Sequence, residues 1–193
     1  TKLLRYKVIL RVFGGDLADV LTKQSIVKKA IFGRTFMSFN YVLVQSQSLV
    51  KELSTFQRVC WFPTTRTGKP NIQAKKSCCK NFIYVGQLKV EKGLDLVCEI
   101  LESGELDGIS LKVCGPEVTK GLSERLKACG ANVLGQVPYE EIETHIANAD
   151  AFLFPTRYVG EGYPGAVIEA LQLGVPVITT DWKYMTEIVE DGK

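Results

Sequence analysis

Short apolar runs alternate with helix-spaced apolar residues along most of this chain. From Lys80 onward the runs are NFIYVG (81–86), ISLKVCG (109–115), ANVLGQV (131–137), AFLFP (151–155) and VPVITT (175–180). Apolar on successive positions, they read as strands buried on both faces. Between the first two, Leu94, Val97, Cys98 and Leu101 predict a helix over 91–101. Further helices are expected over about 119–129, from Pro138 with acids in its first turn as the helix dipole prefers, over 164–173 and over 182–189. Five βα units in a row predict an α/β domain with a doubly wound, Rossmann-like parallel sheet. Right-handed crossovers then put the strand C-termini and helix N-termini along one rim.

The first sixty residues give a smaller version. Strands are expected at 6–12, 41–45 and 58–62, with helices over 23–37 and 46–56. Three strands make only part of an α/β domain. Between the two parts, PTTRTGKPNIQAKKSCCK (63–80) holds two prolines, five basic residues and no acid, a linker or long loop. The organisation expected is therefore 1–63, a linker 64–80, and 81–193. There is no initiating Met, a β-type run begins almost at once, and EDGK ends the chain just after a helix pattern, so both ends look cut from something longer.

A hydrophobic content of 46% with 23% charged residues excludes disordered and fibrous classes. The net charge of +3 gives no argument for nucleic acid, and no such partner is expected. Six cysteines without a CxxC pair, and one histidine, offer no zinc framework. The cysteines read as reduced thiols of a cytoplasmic protein, Cys98 and Cys114 in the core and Cys78-Cys79 exposed. No run approaches the length of a membrane-spanning helix. KQSIVKKAIFGRTFM (23–37) mixes lysines with Ile26, Val27, Ile31 and Phe36. Two readings stand for it, a helix packed on its own sheet and a peripheral contact with an anionic membrane.

Chemistry is expected where strands end. In VGQLKVEKGLDL, Gly86 turns the chain and Lys92 precedes Gly93 at a helix start, a place suited to a diphosphate. In GEGYPGAVIE, glycines free the backbone to turn its N–H groups outward and Pro164 suits the first helical position. Glu161 lies just before that turn and Glu169 about a turn inside the helix, where an acid can accept hydrogen bonds from a ribose diol. An arbitrary pair of surface acids is the plain alternative for both. His145 falls on a helix face turned from the rim and is expected to be structural.

The set VGQLKVEKGLDL, ANVLGQVPYEEI, NADAFLFPT, EGYPGAVIEALQLGVPVITTD and MTEIVEDGK, in this order and spacing, resembles the donor-binding domain of a family 4 glycosyltransferase of the GT-B fold. The resemblance covers 81–193. It implies a retaining hexosyltransferase without a protein-bound metal or permanent cofactor, taking a UDP- or GDP-sugar as donor. A glycan or lipid-linked acceptor of cell-surface polysaccharide synthesis is implied, with work in the cytoplasm or on the inner face of the membrane. Glu169 would hold the ribose and Glu161 would lie by the donor sugar. Lys92 and the backbone of Gly162, Tyr163, Pro164 and Gly165 would meet the diphosphate, with the base near Val137. The family usually has arginine where this chain has Gln87; two readings stand, Arg157 as a substitute and a subfamily that manages with one cation. More loosely, RVFGGDL resembles the acceptor-side turn, Gly14 and Gly15 facing the cleft, with Phe13 near where relatives often have histidine. The 193-residue chain alone is expected to be inactive. An inactive nucleotide-sugar-binding module of the same fold stays open, as does a related epimerase; a phosphorylase would need a pyridoxal-binding lysine context that is absent.

Overall fold

The computed structural model of the chain describes residues 6–67, 79–104 and 108–190. It has the expected α/β architecture, with two all-parallel sheets. The chain divides into two compact units. The first comprises Thr1–Thr64, Val159–Tyr163 and Lys183–Lys193, and the second Thr65–Tyr158 and Pro164–Trp182.

In the first unit β1 (Ile9–Arg11), β2 (Tyr41–Val44) and β3 (Val59–Trp61) lie in the order β1-β2-β3. The register pairs Leu10 with Val42 and Val42 with Val59. The helices are α1 (Leu17–Thr22), α2 (Ile26–Ser38) and α3 (Gln47–Glu52). One face of β2 is buried through Val42 and Val44, which pack with Phe36, Leu49, Leu53 and Tyr184. Phe36 stacks on Phe32 and meets Phe56 at a tilt of 55°, each ring centroid 5.1 Å away. This holds the Phe32–Phe36 face of α2 on the core. The other face is different: Ile26, Val27 and Ile31 are 85%, 69% and 61% exposed, beside exposed Lys23, Lys28 and Lys29.

In the second unit β4 (Asn81–Val85), β5 (Ser110–Cys114), β6 (Asn132–Gly135), β7 (Ala151–Phe154) and β8 (Val177–Thr179) are ordered β6-β5-β4-β7-β8. The intervening helices are α4 (Leu94–Glu102), α5 (Leu122–Ala128), α6 (Tyr139–Ala147) and α7 (Gly165–Gln172). Helices α4 and α5 pack on each other, as do α6 and α7. The core is the one the apolar runs predict: Ile83, Tyr84, Val113, Phe152 and Phe154 are buried on the strands, and Leu94, Cys98, Leu126, Ile146 and Val167 on the helices.

The expected helix over 182–189 is not formed. Only a 3-10 turn at Met185–Glu187 is present. Lys183 takes a left-handed backbone, φ 51°, where the helix would begin, and its ammonium pairs with Asp19. The helix expected over 91–101 is likewise split. A 3-10 turn at Val90–Lys92 ends on Gly93, and α4 begins after it. Helix α1 falls in a stretch for which the sequence pattern predicts no element.

Candidate functional site

Strand β4 is the switch point of its sheet. The chain leaves it toward β5 and β6, then returns to its other side as β7. At such a point the chain connections run to opposite sides, and the rim at the strand C-termini is where open α/β sheets bind ligands. The loop after β4 is tied down by its backbone. Gly86 N donates to Cys114 O at 2.9 Å and Leu88 N to Pro116 O at 2.9 Å. The buried Tyr84 hydroxyl donates to Gln87 O at 2.9 Å, leaving the Gln87 residue exposed at the rim.

Gly93 joins this loop to the one after β7. Its φ is 78°, and a Cβ there would lie 1.9 Å from Pro155 O. Only glycine allows that approach. Arg157 N donates to Glu91 O at 2.8 Å and completes the seam. The neighbouring Lys92 is thereby set over two rings, its Nζ 5.4 Å from the Phe154 centroid and 5.0 Å from that of Tyr158. Lys89 shares the Tyr158 ring at 5.1 Å. Cation–π contact holds both ammoniums at the strand ends. Arg157 is differently placed. Its guanidinium lies 2.7 and 2.8 Å from the two oxygens of Asp95. Burial alone would raise the Asp95 pKa, but the hydrogen bond from Arg157 and the Leu96 amide outweigh it and hold the carboxyl below its usual range. The Arg157 charge is therefore matched within the protein.

Helix α7 starts after Pro164 (φ −69°) without a side-chain cap. Its first-turn N–H groups thus have no helical acceptor. Glu169 lies four residues past Gly165, on the same helix face. Its Oε1 accepts from Arg66 Nε at 2.6 Å and from the Tyr139 hydroxyl at 3.3 Å. Tyr139 opens α6, two residues after half-buried Val137. Arg66, Thr67, Tyr139, Glu169, Gln172 and Leu173 line a cavity of about 150 Å³. Of the residues singled out in the sequence, Glu169 lines this cavity; Arg66 and Tyr139 were not singled out. Arg66 is 103 positions from Glu169, and its one signal was the acid-free basic stretch around it.

The remaining residues gather within the first unit. Gly15 N donates to Gly160 O at 3.1 Å, and a Cβ on Gly15 would lie 1.7 Å from Glu161 O. Gly14 N donates to Gln45 Oε1 at 3.0 Å, and the same oxygen lies 2.6 Å from where a Gly162 Cβ would be. The glycine turn of RVFGGDL and the segment around Glu161 thus interlock, and Glu161 is buried, 6% exposed. Tyr163 donates to Glu187 Oε2 at 2.8 Å, and Glu187 also accepts from the amides of Gln47 and Ser48, each at 2.8 Å. Burial and the Glu187 contact push the Tyr163 hydroxyl well above its usual pKa. The exposed Phe13 ring lies 4.7 Å from the Arg11 guanidinium carbon.

Half-buried His145 contacts Lys112, Nδ1 to Nζ 3.4 Å. Cys98 and Cys114 are buried, Cys79 is exposed, and Cys78 lies outside the described residues. Burial and the Glu102 carboxylate push the Cys129 thiol up to about 12. Among the described residues no three His, Cys, Asp or Glu side chains are grouped to hold a metal ion, and no helix is long and apolar enough to cross a membrane.

A model of the family described as glycosyl transferases group 1 matches residues 66–193, the stretch that holds the switch point, Lys92 and Glu169. The chain belongs to that family. It is 37% identical over 99 residues to the putative teichuronic acid biosynthesis glycosyltransferase TuaC of Bacillus subtilis, covering 51% of this chain and 24% of that protein. Over 59 residues it is 37% identical to O-antigen chain mannosyltransferase B of Escherichia coli, 31% of this chain and 15% of that one. An uncharacterized 41.2 kDa protein in the cps region of Klebsiella pneumoniae matches over 143 residues at 22% identity, 70% of this chain and 39% of the other. The chain therefore spans well under half the length of these relatives. Among solved structures, Anabaena Alr3699/HepE in complex with UDP aligns with a TM-score of 0.74 at 14% identity, covering 97% of this chain and 57% of that one. A mutant of S. aureus TarM in complex with fondaparinux, alpha-GlcNAc-glycerol and UDP aligns at 0.72 and 15%, covering 97% and 39%. These two likenesses are of fold, the GT-B arrangement of Rossmann-like parallel sheets.

Proposed function

We propose that this chain carries the donor-binding half of a retaining, family 4 glycosyltransferase. It binds a nucleoside diphosphate sugar, UDP- or GDP-linked, for transfer of a hexosyl unit to a glycan or lipid-linked acceptor of a cell-surface polysaccharide. The observation that carries the reading is Glu169. It stands one turn inside a helix whose N-terminus is uncapped and which follows β7, next to the switch-point strand β4, and its Oε2 is left for a ribose hydroxyl. The relatives named for teichuronic acid and O-antigen synthesis, and the UDP-bound neighbour, support the substrate class.

In this reading Glu169 accepts from the ribose diol, Val137 borders the base, and Gly165 opens the amide cradle for the diphosphate. Lys92 faces the charge that builds on the departing nucleotide, where a fixed cation lowers the barrier more than it aids ground-state binding. Glu161 is assigned to the donor sugar, and Gly14 and Gly15 to the acceptor side. The exposed apolar and lysine-bearing face of α2 supports a peripheral contact with an anionic membrane. A binding module without transfer is the competing reading, favoured by uncharged Gln87. Thermal shift with UDP-, GDP- and ADP-linked sugars tests the first claim. Stabilisation by one of them, saturating with concentration, is expected; a flat response to all three refutes it.

A further inference from the structure

Arg66 holds a position that its ion pair with Glu169 does not explain. Its backbone carbonyl is fixed by Gln172 Nε2 at 2.9 Å, and its Nε donates to Glu169 Oε1 at 2.6 Å. The NH2 end of the guanidinium lies directly on Gly165, where a Cβ would come within 1.8 Å of it. Gly165 is the first residue of α7, the positive end of that helix, so a cation there is disfavoured unless an anion joins it. Glu169 supplies one carboxylate, and only through Nε. NH1 reaches the Thr65 carbonyl at a long 3.4 Å, and NH2 donates no hydrogen bond among the described residues. Donors thus converge from two sources, the guanidinium edge and the first-turn amides of α7, and among the described residues no side chain accepts from both.

We propose that Arg66 is a donor-binding residue that presents its NH2 edge to the diphosphate of the nucleotide sugar. This rests on the function proposed above and names a cation for it. Glu169 can serve both roles at once, because Arg66 and Tyr139 occupy Oε1 and leave Oε2 for the ribose. The charge that Gln87 does not bring to the strand-end loop enters instead from the stretch before β4. Arg157 does not fill the gap, since Asp95 already takes its guanidinium. The opposite role, a latch in which Arg66 competes with ribose for Glu169, would need both carboxylate oxygens engaged.

The test is calorimetry on the whole chain with UDP and GDP, then with the nucleoside of whichever binds, for wild type, Arg66→Met and Arg66→Lys. Arg66→Met should lower diphosphate affinity by about 10- to 100-fold and leave nucleoside affinity within about twofold. Arg66→Lys should recover part of the loss, as a point charge without the fork. Tighter binding of both ligands by Arg66→Met would reveal a latch and overturn the proposal. Equal weakening of both would make Arg66 a structural prop, and unchanged affinities would make it a bystander; each overturns it. Wild type binding neither diphosphate overturns the underlying function as well, an outcome distinct from the others.

Discussion

Replacing Gly93 by alanine should separate the two loops that set Lys92. The residue has φ 78°, a region that costs an alanine about 1–2 kcal/mol. The added methyl would lie 1.9 Å from Pro155 O, which is backbone and cannot rotate aside. Relief requires the loops after β4 and β7 to part by more than an ångström. That shift breaks or stretches the bond from Gly93 N to Val90 O and the bond from Arg157 N to Glu91 O, both 2.8 Å. At about 1 kcal/mol each, these bring the expected destabilisation to about 3–4 kcal/mol. Urea unfolding followed by Trp182 fluorescence in a Trp61→Phe background measures it. Trp182 belongs to the second unit, its indole donating to Tyr158 O at 2.8 Å beside the seam. With a urea slope of about 1–3 kcal/mol/M, the midpoint should fall by more than about 1 M. A midpoint within about 0.3 M of the reference, at unchanged slope, would refute the seam argument.

Three further outcomes follow from the geometry. Burial alone would raise the Glu187 pKa, yet hydrogen bonds from Ser48, the Gln47 amide and Tyr163 hold it below its usual 4.5. Its stabilisation is therefore complete above the unfolded value and is lost as pH falls through the lower folded one. Glu187→Gln should cost about 1–3 kcal/mol at pH 7 and flatten the acid limb of the stability curve; an acid limb identical to wild type contradicts this. Lys92→Met should weaken binding of the nucleoside diphosphate by about tenfold with the nucleoside unaffected, read by calorimetry; equal loss for both would place Lys92 away from the phosphates. Replacing Lys23, Lys28 and Lys29 by Gln should abolish flotation with anionic vesicles at low salt, and a wild type that never floats leaves α2 a packed helix only.

Much of the second unit was legible because β4, β5 and β7, its three central strands, are buried on both faces, whereas the edge strands β6 and β8 are half exposed. NFIYV is apolar at every position but the first and AFLF at every position, and α4 repeats Leu94, Val97 and Cys98 at helical spacing. What local pattern could not carry was long-range or depended on backbone handedness. Lys183 adopts a left-handed φ that no non-glycine residue announces, and the expected last helix is lost there. Helix α1, six residues long, is too short to show a period. Glu161 was singled out by spacing, but its burial against Gly15 joins segments almost 150 positions apart. Arg66 meets Glu169 across a comparable distance, and one arginine among four lysines in its stretch carries no mark of its target.

The claim everything else depends on is that Glu169 holds a ribose. Calorimetry of wild type and Glu169→Gln with a nucleoside diphosphate and with its 2′,3′-dideoxy analogue tests it in four titrations. The charge-assisted contact is worth about 1.5–3 kcal/mol, so the mutation should weaken the natural nucleotide by about 10- to 100-fold. The dideoxy analogue, already lacking the hydroxyls, should bind both proteins alike. Equal losses for the two ligands on mutation would contradict the account, because Glu169 would then act on something other than the ribose.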